Sequence, residues 1–348
     1  MSAFPNDCPI PLASDEFVTL AHGEGGRAAR RLIEERIIPR LGSPLALQMG
    51  DSVELPPLSG PPMMTTDSYV VSPLFFPGGD IGKLAIFGTI NDLAVAGARP
   101  RWISLAMIIE EGFALIALEQ ILQSISAAAN LADVQVVTGD TKVVPRGAAD
   151  GIFLTTTGLG EQIDPAPLGP QRLKVGDVII ASGPIGKHGV AILAARENLR
   201  FDPMPKSDCG SLWPAVEALR LSGSQICAMR DATRGGAAAV LQEWGAASQL
   251  TMEIEEAAIP VSPEVRGVCE LLGLDPLHLP NEGTMLVAVP EVGVDQALAA
   301  LRGSGRSPDA AVIGRVAARR SAAVVIRRGR GMEIPLDDPQ GAPLPRIC

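Results

Sequence analysis

A chain of 348 residues holds about two domains of ~150 residues each and can bury a large core without disulfide or metal staples. Hydrophobic residues make up 47% and charged residues 20%, with 37 glycines and 30 prolines, which is the make-up of a turn-rich globular protein rather than of a disordered one. The formal net charge of −10 argues against a nucleic-acid surface, because such surfaces rest on basic stripes that neutralise phosphates.

The first residues, MSAFPNDCPIPLASDE, carry acids and prolines and lack the basic start and apolar run of a secretory signal, so a cytoplasmic location is expected. The longest apolar stretches, Ile103 to Ile109 and Val178 to Ala181, fall far short of the ~20 residues that cross a bilayer, so no membrane association is expected. The five cysteines, Cys8, Cys209, Cys227, Cys269 and Cys348, include no CxxC pair and are odd in number. Neither a disulfide framework nor a zinc knuckle is indicated. Three histidines, His22, His188 and His278, are too few for a His-rich metal site.

From Pro62 to about Gly160, strand-like runs surround a helix near Leu115 to Leu131: MMTTDSYVV, IGKLAIFGTINDLAVAG, WISLAMII, VQVVTGD and DGIFLTTTGLG. The turn-rich DPAPLGP near Asp164 to Gly169 marks a boundary. A second unit opens with the strand and turn KVGDVIIASGPIG. Helices are expected at Val190 to Glu197, Leu212 to Leu221, Gly236 to Ser248, Pro263 to Leu272 and Val294 to Arg302. Strands are expected at Thr251 to Ile254, Thr284 to Val289, Ala311 to Val316 and Ala322 to Arg327. The pattern is α/β, with an N-terminal domain at 1–165, a C-terminal domain at 166–335 and a tail at 336–348. The tail, LDDPQGAPLPRIC, is too rich in proline for a helix or an inner strand, and in extended form it reaches about 40 Å at ~3.1 Å per residue.

Three aspartates follow strand-like stretches: Asp67 after MMTT, Asp92 after IFGTIN and Asp140 after VQVVTG. Carboxylates converging at strand ends make an oxygen-only site suited to Mg2+ carrying nucleotide phosphates, and Asp231 in RDATRGG could supply a fourth. Any one of them alone is more often a turn former or helix cap. The glycine segments HGEGGR, PGGDIGK, GPIGKHG and TRGG would let backbone N–H groups approach phosphate oxygens. None is a Walker A or GxGxxG motif. Lys142, two residues beyond Asp140, is a candidate general base or phosphate ligand, and Glu282 in PNEGT could orient that base or take a proton itself. Their bland equivalents are a surface lysine and a turn former. Cys348, the final residue, places an exposed thiol at the end of the tail, and prenylation is excluded because nothing follows it.

Taken together, HGEGGR, TTDSYVVSPLFFPGGDIGKLAIFGTINDLAVAGARP, VVTGDTKVV, GPIGKHGVAIL, RDATRGG and the terminal PRIC resemble the HypE family of hydrogenase maturation factors, the carbamoyl dehydratases of [NiFe]-hydrogenase assembly. The match runs from about Leu20 to Cys348. The glycine loops are shared with the wider superfamily of aminoimidazole ribonucleotide synthetase and selenide water dikinase, whereas the PRIC ending is specific to this branch. The resemblance implies a two-domain PurM-like fold whose N-terminal α/β domain forms a barrel with a second subunit, hence a homodimer, and a helix after PGGDIGK. It implies that a carbamoyltransferase, HypF, loads Cys348 with a carboxamide. ATP then drives removal of water to give a thiocyanate, whose cyano group passes to iron held by HypC and HypD.

The same resemblance assigns Cys348, Lys142 and Glu282 to catalysis, Asp67, Asp92 and Asp231 to metal with Asp80 in support, and Gly23, Gly25, Gly26, Lys83, Asn91, Asp140 and Thr141 to ATP. Lys187 stands in GPIGKHG where many relatives carry Asp, and this is the one departure that touches a loop of interest. Two other readings compete: selenide or aminoimidazole chemistry, which needs no terminal thiol, and a non-catalytic docking protein that uses its acidic surface and tail.

Overall fold

The computed structural model describes residues 16–42 and 50–338, so Cys348 and the tail from residue 339 lie outside the described residues. A helical segment comes first: α1 (Arg27–Arg31), a π-helical stretch (Leu32–Ile37) and α2 (Ile38–Leu41), stopped by Gly42 at a φ of 65°, a left-handed turn that glycine adopts without strain. Then follow β1 (Pro62–Tyr69), the two-residue strands β2 (Phe75–Phe76) and β3 (Gly79–Asp80), α3 (Ile81–Val95), β4 (Ala98–Glu110), α4 (Leu115–Leu131), β5 (Gln135–Val144) and β6 (Ile152–Gln162). The four long strands form one sheet in the order β1, β6, β4, β5, antiparallel except for the β4–β5 pair.

One expectation is corrected here. IGKLAIFGTINDLAVAG is not strand-like: residues 81–95 form the single helix α3, so Asp92 sits on a helix rather than after a strand. The run misleads because α3 is buried on nearly every side and has no polar stripe from which a helical period could be read. Asp80 caps its N-terminus, accepting from the Lys83 backbone N–H at 3.0 Å. Gly88 is required by close approach, since a Cβ there would lie 2.3 Å from the Tyr69 hydroxyl.

The second half runs β7 (Val178–Ala181), α5 (Lys187–Arg196), α6 (Trp213–Leu221), β8 (Ala228–Asp231), α7 (Gly236–Ser248), β9 (Thr251–Glu255), α8 (Pro263–Leu272), β10 (Met285–Val289), α9 (Val294–Gly303), β11 (Ala311–Ala317), β12 (Val324–Arg328) and β13 (Met332–Pro335). Its seven strands lie in the order β13, β12, β9, β11, β7, β10, β8, with only β9 and β12 parallel. The four-residue strands β8 and β13 at the two edges are the ones the sequence pattern misses.

The two halves share buried side chains through α3. Ile81, Leu84 and Ile86 belong to a core that also takes in Val190 and Val265 of α5 and α8. Ala94 and Val95, at the other end of α3, pack with Leu212, Leu219 and Leu301 near and on α6 and α9. A third core, around Trp244 of α7, covers the remaining face of the second sheet. No helix among the described residues is long and apolar enough to cross a membrane.

Candidate active site

The side chains expected to carry chemistry fall into two groups on opposite faces of the first sheet. In β1, Asp67 pairs with Thr156 of β6, which pairs with Leu105 of β4, itself paired with Gly139 of β5. Thr156 and Leu105 are buried, so this row points toward α3. Side chains alternate along a strand, and Asp140 and Lys142, in register with Ala106 and Ile108, therefore point to the other face. That outer face is open: Met64 is 74% exposed and Ile108 41% exposed. Three strand spacings of ~4.8 Å put Asp67 about 14 Å from the β5 edge.

On the inner face, Asp67, Asp92, Asp231 and Glu282 act on one another. Asp92 accepts from the Thr65 hydroxyl at 3.0 Å, and Asp67 is paired with Arg234 at 3.3 Å. Burial pushes the Asp231 carboxyl up to about 7, with the neighbouring Asp92 adding to the effect. Burial also raises Asp92, against the Thr65 hydrogen bond that favours its anion. Glu282 is raised well above the usual carboxylate range, first by burial and then by Asp231, Asp208, Asp67 and Asp92. Carboxylates crowded in low dielectric hold protons until a positive charge arrives.

Glu282 is held by its backbone. Its N–H donates to Asp208 Oδ1 at 3.0 Å, and its carbonyl accepts from the Gly210 N–H at 3.2 Å and from Asn91 Nδ2 at 3.3 Å. Asn91 also donates to the Gly210 carbonyl at 3.0 Å and accepts from the Leu212 N–H at 2.7 Å. Its amide is thus spent on backbone groups. Asp80 is similarly occupied: besides the helix cap it accepts from Ser124 Oγ at 2.6 Å. Lys83, in the first turn of α3, donates to the Gly78 carbonyl at 3.3 Å. The buried Cys209 thiol is raised well above its ordinary range by burial and then by Glu282.

At the free edge of β5 lies a cavity of about 450 Å³, walled by Ile33 and Ile37 of the π-helical stretch and by Leu105, Met107 and Val136 of the sheet. Gly23, Gly25, Asp140, Thr141 and Lys142 line it as well. Gly26 stands beside it as the residue capping α1. The expected site residues are therefore gathered in two places, and Lys142 and Glu282 are in different ones. His22 lines the cavity but its Nδ1 is engaged with Thr19, and His188 is buried against Ser207 and Phe76.

Asp208, Asn281, Thr65 and Arg234 were not singled out by the sequence reading. The available signals were an Asp directly before Cys-Gly in SDCGS and an Asn directly before Glu282, neither of which has a spacing that names a chemistry.

No group of three His, Cys, Asp or Glu side chains among the described residues is arranged to hold a metal ion by itself. All the donors facing the inner site are hard oxygens, and Mg2+ characteristically takes one or two carboxylates with the rest of its shell from phosphates and water. The residues fit a cation brought in with a nucleotide.

The family models that match are the AIR synthase related protein N-terminal domain, over residues 59–162, and its C-terminal domain, over residues 174–327. The carbamoyl dehydratase HypE of Rhodobacter capsulatus is 45% identical over 337 residues, covering 96% of this chain and 99% of that protein. A crystal structure of the hydrogenase maturation protein HypE in complex with ATP superposes with a TM-score of 0.91 at 44% identity, covering 95% of this chain and 99% of the other. A crystal structure of a HypE–HypF complex matches with a TM-score of 0.77 at 40% identity, over 88% of this chain and 99% of the other.

Proposed function

The chain belongs to the HypE carbamoyl dehydratase family, and on that premise we propose that it uses ATP to convert an S-carboxamide on its own Cys348 into an S-cyanate, the source of the cyanide ligand in [NiFe]-hydrogenase maturation. What supports this reading is that the chain holds both a nucleotide-sized cavity, at about 450 Å³ at the β5 edge, and, separately on the inner face of the sheet, a buried carboxylate cluster containing Glu282. Small-molecule sites run ~300–1,000 Å³.

An amide oxygen is a poor leaving group. Transfer of the γ-phosphoryl group to the carboxamide oxygen releases ADP and one N–H proton and leaves a C–O–P linkage. Breaking the C–O bond then expels inorganic phosphate, the second N–H proton is taken by a base, and the carbon–nitrogen triple bond is complete. Glu282 is the acid–base group at this step; the family motif GDTK also points to Lys142, which lies at the β5 edge and does not share a site with Glu282 within one subunit. Mg2+ brought in with the nucleotide would be held by carboxylates of the set Asp67, Asp92 and Asp231 together with phosphate oxygens and water, and would neutralise charge on the phosphoryl oxygens. Gly23, Gly25 and Gly26 offer backbone N–H groups to ATP, with Asp140 and Thr141 in the cavity lining and Lys83 for a phosphate. Asn91 and Asp80 serve by holding the site's backbone.

The open outer face of the first sheet, which carries Met64, Ile108, Asp140 and Lys142, supports a homodimer closed through that face, with Lys142 turned toward the partner subunit. HypF is the proposed donor of the carboxamide and a HypC–HypD complex the acceptor of the cyano group. The domain limits 1–165 and 166–335, the tail 336–348 and a cytoplasmic, ATP-supplied location belong to the same reading.

The experiment is intact mass of carboxamide-loaded protein before and after Mg-ATP, with Cys348→Ala as control. Loss of one water from the wild type alone is expected. Loading without water loss would replace the enzyme reading by a carrier or docking role, and no loading would reopen the aminoimidazole and selenide alternatives.

A further inference from the structure

The loop 281–284 that presents Glu282 is organised around a residue with no assigned role. Asp208 Oδ1 accepts from the Glu282 N–H at 3.0 Å, and Oδ2 accepts from the Gly283 N–H at 3.1 Å, Asn281 Nδ2 at 2.9 Å and the Thr284 hydroxyl at 2.9 Å. Four donors converge on two oxygens, a demand that only an acceptor-only carboxylate meets. Asn281 carries the arrangement on to the loop before α5, accepting from the Gly186 N–H at 2.9 Å and donating to the Pro184 carbonyl at 3.2 Å. The fit leaves no slack, since a Cβ on Gly283 would lie 2.0 Å from the Asp208 carbonyl oxygen. No hydrogen bond to the Glu282 carboxyl occurs among the described residues, whereas its backbone is held on both sides, by Asp208 at the N–H and Asn91 at the carbonyl.

We propose that Asp208 is the positioning residue for Glu282, fixing the peptide from which the acid–base carboxyl projects and thereby timing the second proton removal rather than phosphoryl transfer. This rests on the dehydratase reading. Displacing Glu282 by about 1 Å is enough to cost ~100-fold in the step it serves, while the cavity at the β5 edge, built from other elements, keeps its nucleotide.

The test is single-turnover kinetics on carboxamide-loaded protein with Mg-ATP, following ADP, inorganic phosphate and water loss separately in the wild type, Asp208→Asn and Thr284→Val. In Asp208→Asn an NH2 group faces either the one donor at the Oδ1 position or the three at Oδ2. ADP is expected to form at a rate within about threefold of wild type, while phosphate release and nitrile formation fall ~100-fold. Thr284→Val, which removes one of the four donors at constant shape, is expected to slow the same late step ~5-fold, and Thr284→Ser to restore it. This milder pair keeps the test open should Asp208→Asn not fold. Equal loss of ADP formation and water loss, or no change in either, overturns the proposal. Absence of water loss in the wild type would instead overturn the dehydratase reading on which it stands.

Discussion

Asn91 of α3 donates its side-chain amide to the carbonyl oxygen of Glu282, 3.3 Å away across 191 residues of sequence. One buried amide thereby ties the helix of the first half to the loop 281–284 of the second. Replacing it leaves the Leu212 N–H and the Gly210 carbonyl without this partner, while the Glu282 carbonyl keeps the Gly210 N–H.

Asn91→Ala is accordingly expected to lower stability by about 3 kcal/mol, at ~1–3 kcal/mol for each buried group left unsatisfied. Nitrile formation should be lost along with it. Urea denaturation measures the first effect, and a loss under 1 kcal/mol would show that the bracket is dispensable.

The proposed order of bonds predicts the fate of one atom. If the carboxamide oxygen is the phosphoryl acceptor, 18O placed in that group must appear in inorganic phosphate and none in water. Mass spectrometry of the released phosphate decides it, and unlabelled phosphate would mean that ATP hydrolysis is only coupled to dehydration through a conformational change.

Asp231 gives a pH dependence in the protein without nucleotide. Its carboxyl is raised from the ordinary 3.8 to about 7, so the fold favours the protonated form. The associated stability is fully present below the unfolded value and is lost as pH rises from about 4 to about 7. Three units at 1.36 kcal/mol each bound the effect at roughly 4 kcal/mol. Asp231→Asn should match the wild type in melting temperature near pH 4 and exceed it at pH 8, while losing activity. A wild-type advantage at pH 8 would mean that the carboxylate is compensated in the free protein.

Two glycines make a contrasting pair. Gly283→Ala drives a Cβ to 2.0 Å from backbone oxygen and is expected to cost several kcal/mol, on the order of 3, through forced movement of two packed loops. Gly267, exposed within α8, has nothing within 4 Å of a Cβ. Gly267→Ala should stabilise by ~0.5–1 kcal/mol through helix propensity. Thermal melts of both variants test the close approach of Asp208 and Gly283 directly.

Much of the fold was legible because polar punctuation and apolar periodicity agree: α7 and α8 begin and end at the residues expected from their glycine, serine and proline flanks. The helix α3 was not legible by pattern, since a segment buried all round shows no period. Within the site, loop chemistry groups Asp67, Asp92 and Asp140 with Asp231 as a fourth, yet Asp67 lies inside β1, Asp92 on α3 and Asp140 on the other face of the sheet, and the separation of Asp140 and Lys142 from Glu282 could not be anticipated. It depends on strand register, where one residue decides which face a side chain takes. Asp208 stayed hidden for another reason: two of its four partners are backbone N–H groups, which leave no mark on sequence, and the other two lie more than seventy residues away.

A helix with no face toward solvent has no side on which to absorb change. Along α3 each position answers to the sheet, to α4 or to the second half of the molecule, so the segment 81–95 should drift more slowly than any other helix of this chain. Variation that adjusts the chemistry has to enter through the loops that arrive at it.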